Sequence, residues 1–149
     1  MIDVVEININ VPQKDLAELL ANPRNCLKWM LDLKSFEPVS GEEGLPGSTY
    51  RLVAKDRDMV FLATVVERNL PSLLKLNVKG SGIDIVITSR MVALSPTKTK
   101  LISEKNFTFE GMNNAEVRTP TQDAIQIAHS RHIKEFKSFA ERYFYEQGH

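Results

Sequence analysis

Apolar and polar residues alternate near the start of the chain. Over residues 4–11, Val5, Ile7, Ile9 and Val11 fall on one face, and Val4, Glu6, Asn8 and Asn10 on the other. A period of two is the pattern of a strand with one buried face. Pro12, which cannot donate to a sheet ladder, ends it. Residues 13–22 switch period: Leu16, Leu19 and Leu20 stand at helical spacing, with Pro23 as a stop. Residues 25–31 hold a second short helical turn that carries Trp29.

From Leu33 to Glu110 the pattern is that of strands, cut by turn-forming residues. Strands are predicted over residues 36–40, 49–56, 59–69, 73–79, 83–95 and 98–110. The breaks between them are Gly41 to Gly47, Asp56 to Asp58, Pro71, Gly80 to Gly82, and Pro96 with Thr97. Connections this short cannot be parallel crossovers, which need about a dozen residues or more. With the opening strand, they make a seven-stranded antiparallel sheet.

Residues 119–147 have no proline or glycine after Pro120 and read as one helix. Its length is roughly 40 Å, near that of the longest strands. The apolar stripe is Ile125, Ala128, Phe136, Phe139, Ala140 and Tyr143, with Ile133 and Phe144 on one flank. Arg131, Lys134, Ser138, Glu141 and Arg142 face the other way. Arg131 with Glu135, and Lys137 with Glu141, stand four apart as ion pairs of a solvated face. A long amphipathic helix whose one large partner is a sheet must lie across it. The fold class is therefore α+β: a seven-stranded antiparallel sheet gripping a long C-terminal helix, with two short helices after the first strand. Residues 1–149 form one domain. A curved sheet wrapped around a helix leaves space between them, and that space is the candidate site.

Charge narrows the choice of partner. The 149 residues include 19 Lys and Arg against 19 Asp and Glu, a formal net charge of zero. That removes the broad basic field used to bind nucleic acid or an anionic membrane surface. Hydrophobic residues make up 42%, and a chain of this length buries roughly 70% of its extended surface, enough for a real core. No apolar run approaches the ~20 residues that span a bilayer. The first residues also lack the basic and apolar blocks of a secretory signal. Cys26 is the only cysteine, which excludes an internal disulfide and a cysteine-rich zinc site, and points to the reducing cytoplasm.

The order of elements, with local motifs along nearly the whole chain, resembles the START-like helix-grip superfamily (SRPBCC). That group includes polyketide cyclase/dehydrase and pollen-allergen-type ligand binders. Val11-Pro12-Gln13, a helix and then Trp29 resemble its opening; Leu45-Pro46-Gly47 before Tyr50 resembles its glycine turn. Val65-Val66-Glu67-Arg68 with Pro71 and Leu74 is similar to its strand ending in a proline turn. Lys98-Thr99-Lys100-Leu101 resembles the start of its last strand, and Ile133, Phe136, Lys137 and Glu141 fit its C-terminal helix. The resemblance implies an apolar cavity between helix and sheet. The matched motifs are scaffold positions, and the superfamily hosts carriers, sensors, cyclases, hydrolases and co-chaperone domains.

The candidate ligand-binding residues are Trp29, Tyr50, Phe61, Arg90, His129, His132 and Phe136. Stepping 100° per residue from Ile125 puts His129 at about +40° and His132 at about −20°, both inside the apolar stripe. There, each histidine either bonds to the sheet or lines the cavity. Tyr50 and Arg90 stand on strands among apolar neighbours. Arg90 either reaches an acidic ligand group or points to solvent from the convex face. Alternation with Leu101, Phe107 and Phe109 places Lys105 on the apolar face of the last strand. No catalytic residue is assigned. Cys26 lacks a recognisable base, and no Gly-x-Ser-x-Gly elbow is present. No metal or other cofactor is expected: two histidines three apart lack a third ligand, and His149 is terminal.

The leading reading is a monomer or homodimer that binds or transports a small hydrophobic molecule, lipid- or polyketide-like, with neither nucleic acid nor a membrane span involved. One alternative is a cyclase/dehydrase-type or hydrolase-type enzyme using a cavity histidine as general acid or base. The other is a co-chaperone-like module that uses an exposed face.

Overall fold

A computed structural model describes residues 1–113 and 119–147. The elements run β1 (Ile2–Ile9), α1 (Gln13–Ala21), a 3₁₀ turn (Pro23–Asn25), α2 (Cys26–Trp29), β2 (Leu33–Ser40), β3 (Thr49–Ala54), β4 (Val60–Asn69), β5 (Leu73–Gly80), β6 (Ile83–Ser95), β7 (Lys98–Phe109) and α3 (Thr119–Glu146). All seven strands form one antiparallel sheet in the order β1-β7-β6-β5-β4-β3-β2. Alternation along β1 is as the sequence requires. Val4 is exposed, while Val5, Ile7 and Ile9 pack inward.

Some boundaries differ, and each for a local reason. β1 stops at Ile9 rather than Val11. Val11 is nonetheless fully buried, and its carbonyl accepts the Thr99 hydroxyl at 2.8 Å. Pro23 does not simply stop a helix; it opens the 3₁₀ turn, where a missing N–H and a fixed φ are harmless. Asn22 caps that turn by accepting the Arg24 N–H. β2 begins at Leu33, three residues earlier than the pattern suggested, and carries Pro38 because it is an edge strand. Gly80 closes β5 so tightly against β4 that a Cβ there would collide with the Val60 carbonyl oxygen.

Two apolar clusters hold the layers together. One joins Ile9, Val11, Leu16, Met91 and Leu101 to Ile133, Phe136, Phe139 and Ala140 of α3. The other gathers Tyr50, Leu52, Ala63, Val65 and Leu74 under α1. The buried stripe of α3 is rotated from the one read in the sequence. Its buried residues are His129, Ile133, Phe136, Phe139 and Ala140, with Phe136 and His129 near the middle and Ile133 at one edge, while Tyr143 is exposed. Tyr143 lies in the direction of the stripe, between Phe139 and Phe136, but one turn beyond Phe139 near the end of α3. Of the two surface ion pairs expected, Arg131 and Glu135 approach to 3.7 Å. Glu141 instead accepts the Asn10 N–H, pinning the β1–α1 loop to α3. Among the described residues, no helix is long and apolar enough to cross a membrane.

Candidate functional site

Where α3 crosses the sheet, two carboxylate–histidine pairs form on either side of Lys105. Asp3 extends the inward face of β1 by one more step of two, below Val5 and Ile7. Its Oδ2 accepts from His129 Nδ1 at 2.7 Å. A carboxylate only accepts, so Nδ1 carries the proton and Nε2 is left as the acceptor for the Ser103 hydroxyl at 2.9 Å. His129 is 1% exposed, and both of its ring nitrogens are satisfied. His132, one turn further along α3, donates from Nε2 to Asp32 Oδ2 at 2.5 Å. Arg131 donates to the same oxygen at 2.9 Å.

Burial sets the protonation of this cluster. It pulls His129 well below the usual histidine range; the nearby Lys105 charge adds to this, and together they outweigh the Asp3 hydrogen bond. Burial also lowers His132, against the opposing pull of Asp32. Both rings are neutral at pH 7. Burial works to raise the Asp32 carboxyl, yet His132 and Arg131 outweigh it and hold the group below its ordinary value. The Lys105 ammonium is lowered by burial to about 8, against the attraction of Asp3 and Asp32.

An enclosed cavity of about 120 Å³ opens between this cluster, the sheet and the short helices. Its walls are apolar: Leu20, Met30 and Trp29 on one side, and Leu52, Ala63, Val65, Leu74, Leu76, Val78 and Ile87 along the sheet. One end is polar, formed by Ser89, Ser103, Lys105 and His132. Cys26 also faces the cavity, where burial pushes its thiol up to about 12, so it stays protonated and unreactive. For scale, an apolar protein cavity of roughly 150 Å³ takes one benzene ring. A wider open groove of about 840 Å³ runs outside α3, past Leu31, Ile127 and Arg131. Trp29 borders both spaces, and its buried Nε1 has no hydrogen-bond partner among the described residues.

The seven residues singled out from sequence take different places. Trp29, Tyr50 and His132 line the cavity. The Tyr50 hydroxyl is already engaged, accepting the Gly44 N–H at 2.6 Å and donating to Ser48 at 3.3 Å, while its ring stacks on Phe36. His129 lies behind the wall. Phe136 is fully buried and meets Trp29 edge-on at 5.1 Å, supporting the wall rather than forming it. Phe61 packs on the inner face of β4 beyond the cavity residues. Arg90 does not reach the cavity. It is exposed on the convex face, because its β6 neighbours Ser89 and Met91 both point inward. His149 lies outside the described residues. Asp3, Asp32 and Ser103 were not singled out beforehand; the alternation of β1, carried back two residues from Val5, places Asp3 on the inner face.

The chain Asp3–His129–Ser103 has the connectivity of an acid–base–nucleophile relay, with Ser103 at the cavity wall. Two features oppose its use for nucleophilic attack. The lowered basicity of His129 makes it a poor proton acceptor near neutral pH. β7 is also paired on both sides at Ser103, with Val5 of β1 and Ser89 of β6, which engages the backbone N–H groups an oxyanion would need. Among the described residues, no three His, Cys, Asp or Glu side chains converge as a metal site.

The sequence matches no protein-family model and no curated protein. Solved structures share its fold. A START superfamily protein from Mycobacterium smegmatis superposes with a TM-score of 0.78 at 14% identity, over 95% of this chain and 97% of that one. The Zhui aromatase/cyclase from Streptomyces sp. R1128 gives 0.75 at 12% identity, covering 95% of each. Ara h 8.0201 gives 0.72 at 14% identity, over 94% of this chain and 98% of that one. The chain has the helix-grip fold of these START-like structures, one of which is an aromatase/cyclase.

Proposed function

We propose that this protein binds a small hydrophobic molecule in the cavity between the sheet and α3, and that it does so in the cytoplasm as a carrier or sensor. The observation that carries this reading is a cavity with mostly apolar walls and a polar cluster of Ser89, Ser103, Lys105 and His132 at one end. Its volume favours a ring-sized occupant or the end of a longer chain; drug-sized ligands occupy roughly 300–1,000 Å³. Native mass spectrometry of freshly purified protein tests it, with toluene titration followed through Trp29, the sole tryptophan. A bound mass lost on denaturation, or a saturable change in Trp29 emission, supports the reading. A ligand-free mass together with no response to toluene removes it.

An enzymatic reading has one observation in its favour, the relay ending at Ser103. A fluorophosphonate probe tests it. Labelling that disappears in Ser103→Ala would favour a hydrolase, and the low basicity of His129 leads us to expect none.

A further inference from the structure

Among the described residues, Lys105 is the one with a full positive charge lining the cavity, and no Asp or Glu lines it. Its surroundings leave that charge without a contact. The carboxylates that act on it are Asp3 on β1 and Asp32 before β2. Asp3 is already bonded to His129, and Asp32 to His132 and Arg131. The two histidines that face it from α3 are neutral, and Ser103, two residues away on the same strand face, is bonded to His129. Among the described residues, the Lys105 ammonium makes no side-chain hydrogen bond or ion pair. Lys105 is half-buried, and an ammonium partly withdrawn from water against hydrocarbon gains little unless it is paired. Opposite it, Leu74, Leu76, Val78 and Ile87 offer only hydrocarbon.

We propose that the cavity is a site for small apolar acids, with the ligand's carboxylate paired to Lys105 Nζ and its hydrocarbon part against β5 and β6. This assignment rests on the ligand-binding reading above and adds the chemical class of the ligand. The pairing is non-covalent. It returns to the lysine the anionic contact that the fold withholds, and it restores the charged form of the amine. Lys105 is half-neutral near pH 8, so binding an acid there draws a proton from solution. The neighbouring histidines, lowered below their ordinary range, do not titrate at that pH.

Calorimetry with benzoate, benzamide and toluene on the full chain and on Lys105→Met tests this. Benzoate should bind the parent protein at least tenfold more tightly than either neutral ring. Lys105→Met should lose that preference while still binding toluene. Repeating the benzoate titration at pH 8 in two buffers of different ionisation enthalpy should show uptake of about half a proton, absent in the variant. Equal affinity for benzoate and toluene, or an undiminished preference in Lys105→Met, overturns the acid assignment and leaves the cavity reading intact. If neither ring binds the parent protein, both fall together. Should Lys105→Met fail to fold, proton uptake by the parent protein decides, and zero uptake refutes the assignment.

Discussion

Asp3 and His129 join at 2.7 Å across 126 residues of chain, tying the first strand to the last helix. His129 donates to Asp3 and accepts from Ser103, so removing one partner strands a buried polar atom. Asp3→Ala should lower stability by about 1–3 kcal/mol, the usual penalty for an unsatisfied buried donor. Asp3→Asn keeps an accepting oxygen and should lose much less. Urea denaturation of the two variants checks the contrast; equal losses would contradict the bonding assigned to His129.

Lys105 should behave oppositely. Its ammonium is half-buried in an apolar cavity without a contacting partner, so Lys105→Met should raise stability by about 1 kcal/mol or more in the absence of ligand. The linkage has a definite sign. The folded value, about 8, lies below the ordinary 10.5, so the penalty is complete below pH 8 and is relieved as pH rises toward 10.5. A thermal melt at pH 7 showing a lower midpoint for the variant would contradict this account.

Acid should destabilise the protein well before its carboxylates titrate. His129 and His132 are both lowered from 6.5 in the fold, so the unfolded chain binds protons first. Stability is then fully present above about pH 6.5 and falls below it, by up to about 1.4 kcal/mol per pH unit for each histidine that stays neutral. Asp32 adds a loss of the same sign only below 3.8. Urea midpoints at pH 7.5 and 5.5 test the sign; an equal or higher midpoint at 5.5 refutes it.

Ala63 lines the cavity from β4, on the same face as Val65. Ala63→Leu should push three extra carbons into a space of about 120 Å³ and abolish the Trp29 response to toluene. Because the added methyl groups fill a void, the cost in stability should stay below the 1–3 kcal/mol typical of overpacking. Unchanged toluene binding would place the ligand elsewhere.

The architecture was legible because it rests on short-range rules. A period of two, interrupted by Gly and Pro, marks strands β3 to β7 one after another, and the uninterrupted run after Pro120 marks α3. Lys105 could be placed on the inner face from Leu101 and Phe107 alone. The histidines could be placed on the right face of α3 but not given partners. Those partners, Asp3, Ser103 and Asp32, come from β1, β7 and the loop before β2. Only the register that sets Val5 against Ser103 brings the first two under the helix. Tyr143 has the right helical phase, but it stands in the last turns of α3, and periodicity does not say where the covering layer ends.

The sheet order also dictates a sequence of assembly. Five of its six strand pairings link neighbours in the chain, whereas β1 must find β7, Ile9 opposite Thr99. Closing so long a loop carries an entropic penalty that hairpins avoid, and such pairings form late. The meander from β2 to β7 can therefore nucleate while β7 still presents an open edge, and β1 is captured afterwards. Val5→Ala should then speed unfolding and leave the folding rate nearly unchanged, as stopped-flow kinetics would show. Because Asp3 arrives only with β1, the polar end of the cavity is the last region of this protein to take shape.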